Sequence, residues 1–414
     1  DPNKAIESDV FSSPKGLTGV VVGLQRVYAL GRGSNVFNLV EVNGLLTNEM
    51  FVVNSGNTAE VQLATGGTAV DGNHATLTTF WTTCNKIIYD ADKVITSAKG
   101  LADKGYASGL IVYASIFKAM SLANMAEFWE KVPAGTGTNV TFIDRIDGYK
   151  KAITIIDDAL TTIAANAISA QFLSNIPQNP IPPSPSTPGI DIANTLNALK
   201  ARYSLFAGLY SQALTAANAV DLTKRSSFNF DALSLNPIYE NATSTNNVVQ
   251  PLDSTLGLLV PLQPDLTDKR IPFYTSINAT IFPRFRINGF GVVAASPFPV
   301  YLPGEITLIK AECYARTPDL ANALIELNKI VTKKAVNDPF GVGADLPALV
   351  GPFTQAQLLD QIYKHRCIEL YMSGLKIEDM RRFGRPNSER KRNLVPYPQR
   401  ERDNNPNTPA DPPF

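Results

Sequence analysis

Apolar residues recur at helical spacing over most of this chain. Between 142 and 165, Phe142, Ile146, Tyr149, Ile153, Ile156, Leu160 and Ile163 alternate steps of four and three. That spacing predicts one stripe, which must be buried against other helices. Each such side chain stabilises by roughly 1.5–3 kcal/mol before ordering entropy is charged. The same reading predicts helices at about 80–99, 105–130, 190–220, 304–316, 319–335 and 355–373.

Two stretches read as helical hairpins. In 304–331 one helix carries Leu308, Ala311 and Ala315 and stops at Thr317, Pro318 and Asp319; the next resumes with Leu320, Ala323, Leu324, Leu327 and Ile330. Pro318 suits a first helical turn, where its missing N–H has no intrahelical partner to lose. In 196–220, a break near Gly208 is followed by Ala213, Ala216 and Ala217, small enough for two helices to approach closely. These irregular units resemble tetratricopeptide hairpins, so the predicted fold is mostly α, a TPR-like α-α superhelix with a few short strands.

Three irregular regions interrupt the helices. Residues 44–79 are rich in Gly, Thr and Asn, with a strand-like MFVV; Pro177–Gly189 is Pro-dense and reads as an extended loop. Residues 226–303 mix aromatic, Asn and Pro with β-like runs TIFPRFRI and GFGVVAA. Loops this long are functional or disordered, and the aromatic content favours order. From Leu358 to Phe414 an amphipathic helix leads into an Arg-rich turn and a Pro/Asn-rich tail. Leu394, Val395 and Tyr397 are its anchors, so the tail is expected to clasp the body.

Composition narrows the partners. Lys+Arg and Asp+Glu both total 37, leaving no global field for nucleic acid or an anionic membrane. Hydrophobic residues at 44% suffice for a large core. No apolar run is read as a membrane span of roughly 18–20 residues. Asp1 opens a polar segment with no apolar h-region, so the expectation is either that there was no signal peptide or that it has been removed. Cys84, Cys313 and Cys367 form neither a metal spacing nor a disulfide framework and are expected as small buried hydrophobes; a Cys313–Cys367 bridge is left open.

Catalytic patterns fail on their context. Ser115 with Lys118, and Ser12 with Lys15, match S-x-x-K, but no K-[ST]-G follows and Ser115 is mid-helix. His74 and His365 make no H-E-x-x-H, and Gly31 and Gly33 lack a third Gly. Asp90/Asp92 and Asp157/Asp158 suit solvated helix faces. A carboxylate pair assembled from distant segments stays open at this stage. Arg381, Arg382, Arg385, Arg390 and Arg392 are interleaved with Glu378, Asp379 and Glu389, which predicts structural ion pairs and not a phosphate site. Trp81 and Trp129 read as core. No catalytic residue, cofactor or metal is expected.

The order of parts resembles the SusD/RagB family of outer-membrane nutrient-binding lipoproteins. GLTGVVVGLQRVYAL is similar to its first helix, and FWTTCNKIIYDADKVI to "WxxxYxxIxxANxIL" through Asn85 and Ala91. ASGLIVYASIFKAMSLANMAEFWEKVP ends in the family's Val-Pro at Val132 and Pro133. EITLIKAECYARTPDLANALIELNKIVTKKA aligns Glu312, Ala315, Leu327 and Asn328, and the C-terminal helix and tail follow. Tyr371 to Leu375 departs from the family, which prefers an acidic residue before Gly374, and His365 to Cys367 replaces a more charged pattern.

The resemblance implies one SusD-like unit over 1–414. Its helical scaffold would occupy about 80–220 and 304–373, loop-rich binding regions about 44–79 and 226–303, and a clasp 374–414. It implies non-catalytic binding of a nutrient, an oligosaccharide first and a peptide as the alternative. Delivery would be to a TonB-dependent, SusC-like outer-membrane barrel. It also implies an outward-facing surface lipoprotein, anchored through a lipidated Cys that Asp1 is not. A free TPR-like adaptor is the competing class. By location and residue type, the ligand residues expected are Asn73 and His74 before Trp81, and Tyr274, Arg284, Asn288 and Phe290 in the 270–300 loops.

Overall fold

The computed structural model describes residues 7–176, 189–244 and 247–414; most of the Pro-dense loop at Pro177–Gly189 lies outside the described residues. The expected mostly α scaffold is present. Short polar side chains start its helices: Ser13, Ser34, Asp103, Asp191, Asp319 and Thr354 each accept a backbone N–H from the first turn. Thr354 and Gln357 complete a capping box.

The helix Lys104–Phe128 is the hub, packed between Ala75–Ala98 and Arg145–Ala165. It is long and apolar enough to cross a membrane, which the sequence reading did not register; 89% of its most apolar window is buried, as befits a core helix. Asn35–Leu46 was also missed. It is buried on nearly every side, including Asn35, Asn38, Glu41 and Asn43, so it shows no amphipathic stripe.

Boundaries differ from expectation in three places. Phe142 stands on the strand Phe142–Asp144, paired with Lys131–Pro133, and the helix begins only at Arg145. Pro318 precedes the N-cap Asp319 and is not in the first helical turn. The helix Gln355–Glu369 ends before Met372 and Gly374, both at positive φ, and Arg381 and Arg382 sit on a separate helix, Lys376–Arg382. A side chain at Gly374 would meet Leu39, so the turn needs glycine twice over.

The described strands form two-stranded antiparallel pairs. Phe51–Val52 pairs with Val249–Gln250, Ser227–Phe228 with Phe298–Pro299, and Thr275–Ile277 with Phe285–Ile287. GFGVVAA is not a strand; Gly289–Gly291 is a 3-10 turn. The predicted hairpins pack as Ile192–Phe206 on Tyr210–Asn218 and Pro303–Arg316 on Leu320–Val331. One hydrophobic cluster runs from Leu17 to Tyr397, and a smaller one joins Leu308, Leu327, Leu358 and Ile362. All three cysteines are buried and free, which rules out a Cys313–Cys367 bridge in this fold. Trp81 and Trp129 are core, with ring centroids 4.9 Å apart.

The tail is clasped by charge and by backbone. Arg366 forks onto Asp379 with two 2.9 Å bonds, and Arg382 donates to Glu312 at 2.9 Å and to Asp379 at 2.7 Å. Arg316 adds a 2.9 Å bond to Glu312. Glu378 takes Arg145 and Arg381, and Arg381 also donates to the Glu127 carbonyl at 2.6 Å. Beyond the charges, Lys391 N–H donates to Leu46 O and Val395 N–H to Phe128 O, while Trp129 Nε1–H donates to Pro396 O. The Tyr397 hydroxyl accepts from Lys131 N–H at 2.8 Å. Tyr397 and Val395 are buried; Leu394 is half-buried.

Burial alone would raise the Glu312 carboxyl, but Arg382, Arg366 and Arg316 outweigh it and hold it down at about 2. Its folded value lies below its ordinary 4.5, so its contribution is full above pH 4.5 and drains as pH falls toward 2. Glu312→Ala leaves Asp379 as the one carboxylate against the buried Arg366 and Arg382 and is expected to lower the unfolding free energy by about 3–5 kcal/mol. Urea denaturation followed by tryptophan fluorescence at pH 7 checks this. The variant should also lose part of the stability decline between pH 4.5 and 2. A parental midpoint and acid limb would contradict the role.

Candidate functional site

The helix Ala75–Ala98 buries Leu77, Phe80, Cys84 and Ile87, and turns another face outward. Thr78, Thr82, Asn85, Lys86 and Tyr89 recur there at steps of three and four and, with the buried Trp81 beside them, floor a cleft. One wall is the Gly/Thr turn 134–141 between the strands Lys131–Pro133 and Phe142–Asp144. The other is the tail segment from Pro398 to Asn405, including the short helix Gln399–Asn404. The cleft holds about 1430 Å³, its open mouth included.

The three walls are tied together by side chains that are themselves fixed. Trp81 packs edge-on against Trp129 and against Tyr397 at 5.8 Å, and stacks near Phe142 at 6.3 Å. Its Nε1–H donates to Glu401 Oε2 at 3.1 Å, joining floor to tail. Asn405 Nδ2 donates to Val140 O and to Glu401 Oε1, both at 3.0 Å, and Asn407 Nδ2 to Asn139 O at 2.7 Å, joining tail to turn. Gln399 N–H donates to Gly72 O at 2.7 Å, so the loop ahead of the helix is braced as well.

What the cleft offers a ligand is polar and almost neutral. Lys86 is paired with Asp90 at 2.5 Å, and Glu401 is occupied by Trp81 and Asn405. Arg400 is exposed, and among the described residues its guanidinium makes no hydrogen bond or ion pair. Asn85 uses one amide bond, 3.1 Å to Trp81 O, and Tyr89 is 46% exposed. Hydroxyls, amides, one unpaired guanidinium and one exposed ring suit a polyhydroxyl ligand. Among the described residues no group of three or more His, Cys, Asp or Glu could hold a metal ion.

The predicted ligand residues fall into two separate places. Asn73 is exposed in the turn ahead of the helix, its N–H donating to Asp71 Oδ1 at 2.8 Å. His74 is buried; its Nδ1 accepts from Leu77 N–H, so its Nε2–H donates to Ala59 O at 2.9 Å. Burial lowers its pKa. Neither lines the cleft.

The second group lies elsewhere. Tyr274 and Phe290 meet at 6.0 Å, but Tyr274 is fully buried with its hydroxyl donating to Glu369 O at 2.5 Å. Phe290 packs on Phe340 and borders an interior crevice whose polar groups, such as Arg202 and Glu305, already pair with each other. Asn288 is half-buried and donates to Pro272 O at 3.1 Å; Arg284 is exposed on the Thr275–Ile277 hairpin. His74, Tyr274 and Phe290 are buried, with His74 capping a helix and the two rings packing. Asn85, Tyr89 and Arg400, which line the cleft, are not among the expected residues. The polar face 78–89 was visible as a stripe, but its walls come from residues about 50 and 320 positions away.

Trp81→Phe keeps an aromatic, though smaller, ring and removes the donor to Glu401. Amide exchange across 399–405 is expected to speed up about tenfold, matching a charge-assisted bond of roughly 1.5 kcal/mol. Unchanged protection by hydrogen–deuterium exchange mass spectrometry would show that the tail wall does not depend on this bond.

No family model and no curated protein matches this chain by sequence. Solved structures do match it in fold. A SusD superfamily protein from Bacteroides thetaiotaomicron superposes with a TM-score of 0.73 at 15% identity, covering 97% of this chain and 100% of that one. A SusD-like carbohydrate binding protein from Bacteroides fragilis gives 0.66 at 14% identity, covering 91% and 87%. Another so described, from Bacteroides vulgatus, gives 0.67 at 13%, covering 89% and 83%. The chain has the SusD-like fold.

Proposed function

We propose that this SusD-like chain is a cell-surface nutrient-binding protein that captures a saccharide without turning it over. The observation that carries this is the near full-length fold correspondence with proteins described as carbohydrate binding. The polar cleft beside Trp81 supplies a site of fitting chemistry. Its donors are aimed by packed helix and clasped tail, so binding orders few side chains. The helix, hairpin and tail motifs of the SusD/RagB family support the finer reading. In it the protein is a lipid-anchored, outward-facing component of the outer membrane that hands its ligand to a TonB-dependent, SusC-like barrel. Capture and release call for micromolar to millimolar affinity, about −8 to −4 kcal/mol.

Titration calorimetry with neutral plant and microbial oligosaccharides tests the reading. Binding in that range is expected, with Asn85→Ala/Arg400→Ala weakening it by about tenfold, the equivalent of one or two polar contacts. Binding of casein-derived peptides with no saccharide bound would replace the glycan by a peptide, and chromatographic products from the pure protein would make it a hydrolase.

A further inference from the structure

The helix face that floors the cleft does not stop at Tyr89. Asp92, Lys93, Thr96 and Ser97 continue it and floor a second, shallower groove of about 890 Å³, flanked by Phe11 and Thr136. Tyr89 and Thr136 border both spaces. From Thr78 to Ser97 the helix rises about 28 Å, at 1.5 Å per residue. We propose that cleft and groove are one elongated site for a linear, uncharged oligosaccharide, with Tyr89 as the stacking platform at its middle. This rests on the saccharide reading and adds the shape and charge of the ligand.

Three observations support it. First, the two spaces share their floor and one wall, so a chain leaving the cleft at Tyr89 runs directly onto Thr96 and Ser97. A single sugar would occupy one end and leave the other unused. Second, the ring at the junction is 46% exposed yet held, with Lys93 Nζ 4.4 Å from its centroid and 5.5 Å from that of Phe11. A positioned aromatic face suits the apolar face of a pyranose. Third, the charges along this face are matched: Lys86 with Asp90 and Asp92 with Lys118, each at 2.5 Å. With those charges cancelled the floor itself carries no net charge and offers hydroxyl and amide groups, while Arg400 on the tail wall is left as a donor to a sugar hydroxyl.

Calorimetry on the intact protein separates this proposal from the reading beneath it. The probes are cello-, xylo- and malto-oligosaccharides as disaccharide and hexasaccharide, with the hexamer of polygalacturonate as the charged comparator. For whichever series binds, the hexasaccharide is expected to bind about tenfold or more tightly than the disaccharide. Tyr89→Ala and Ser97→Trp, both at surface positions, should each bring that ratio close to parity, with circular dichroism confirming the fold. Equal affinity for both lengths, a length advantage that survives both substitutions, or preference for the polygalacturonate hexamer would overturn the elongated neutral site while leaving saccharide binding intact. No binding by any saccharide would overturn the saccharide reading, and this proposal with it.

Discussion

The structure turns on the buried carboxylate of Glu312. It sits on the first helix of a helical hairpin, and Arg316, Arg366 and Arg382 converge on it. Through Arg366 and Arg382 it is coupled to Asp379, so the hairpin, Gln355–Glu369 and Lys376–Arg382 share one charge lattice. A lattice of this kind adds little net stability over a well-packed apolar core, because desolvating the ions offsets most of the attraction. Its value lies in direction. Bidentate guanidinium forks accept few geometries, so they set where Lys376–Arg382 leaves the scaffold and hence where the tail begins.

The tail wall of the cleft follows from that exit. The tail crosses Leu46, Phe128 and Lys131 through backbone hydrogen bonds and reaches Gly72 and Val140. A Pro/Asn-rich segment has few regular bonds of its own to make, so these partners replace the missing secondary structure. A second charge cluster serves the loop side: Arg270 pairs with Asp268 and Glu369, and Lys333 with Asp338 and Glu369. His365 accepts from Arg270 at 2.8 Å; burial, then Arg270 and Lys364, push its pKa down and keep it neutral. The 270–300 region is thereby locked to the scaffold, which is why Tyr274 and Phe290 serve packing there.

Much of the fold was legible in the sequence. The hairpins at 304–331 and 196–220 and the clasped tail declare themselves through period, small residues and anchors, and the hub helix through its long apolar run. The elements misread failed for local physical reasons. Asn35–Leu46 carries no stripe because it is buried all round, and Phe142 keeps helical spacing to Ile146 while its backbone pairs with Pro133. Residue type could not separate an exposed aromatic from a packed one. Tyr274 and Tyr89 are the same side chain, one sealed against Glu369 and the other half open at a groove.

By itself, the sequence determined what depends on neighbours a few positions apart: helix faces, caps, hairpin breaks and the balance of charge. The interleaving of Arg with Asp and Glu near the C-terminus already implied ion pairs in place of a phosphate site. Only the tertiary structure decided which face of Ala75–Ala98 would be roofed, because its walls are brought there by the 134–141 turn and the tail. Contacts across that separation in sequence leave no periodic signal. On the tail side they arise from the direction in which a buried charge lattice sends the chain.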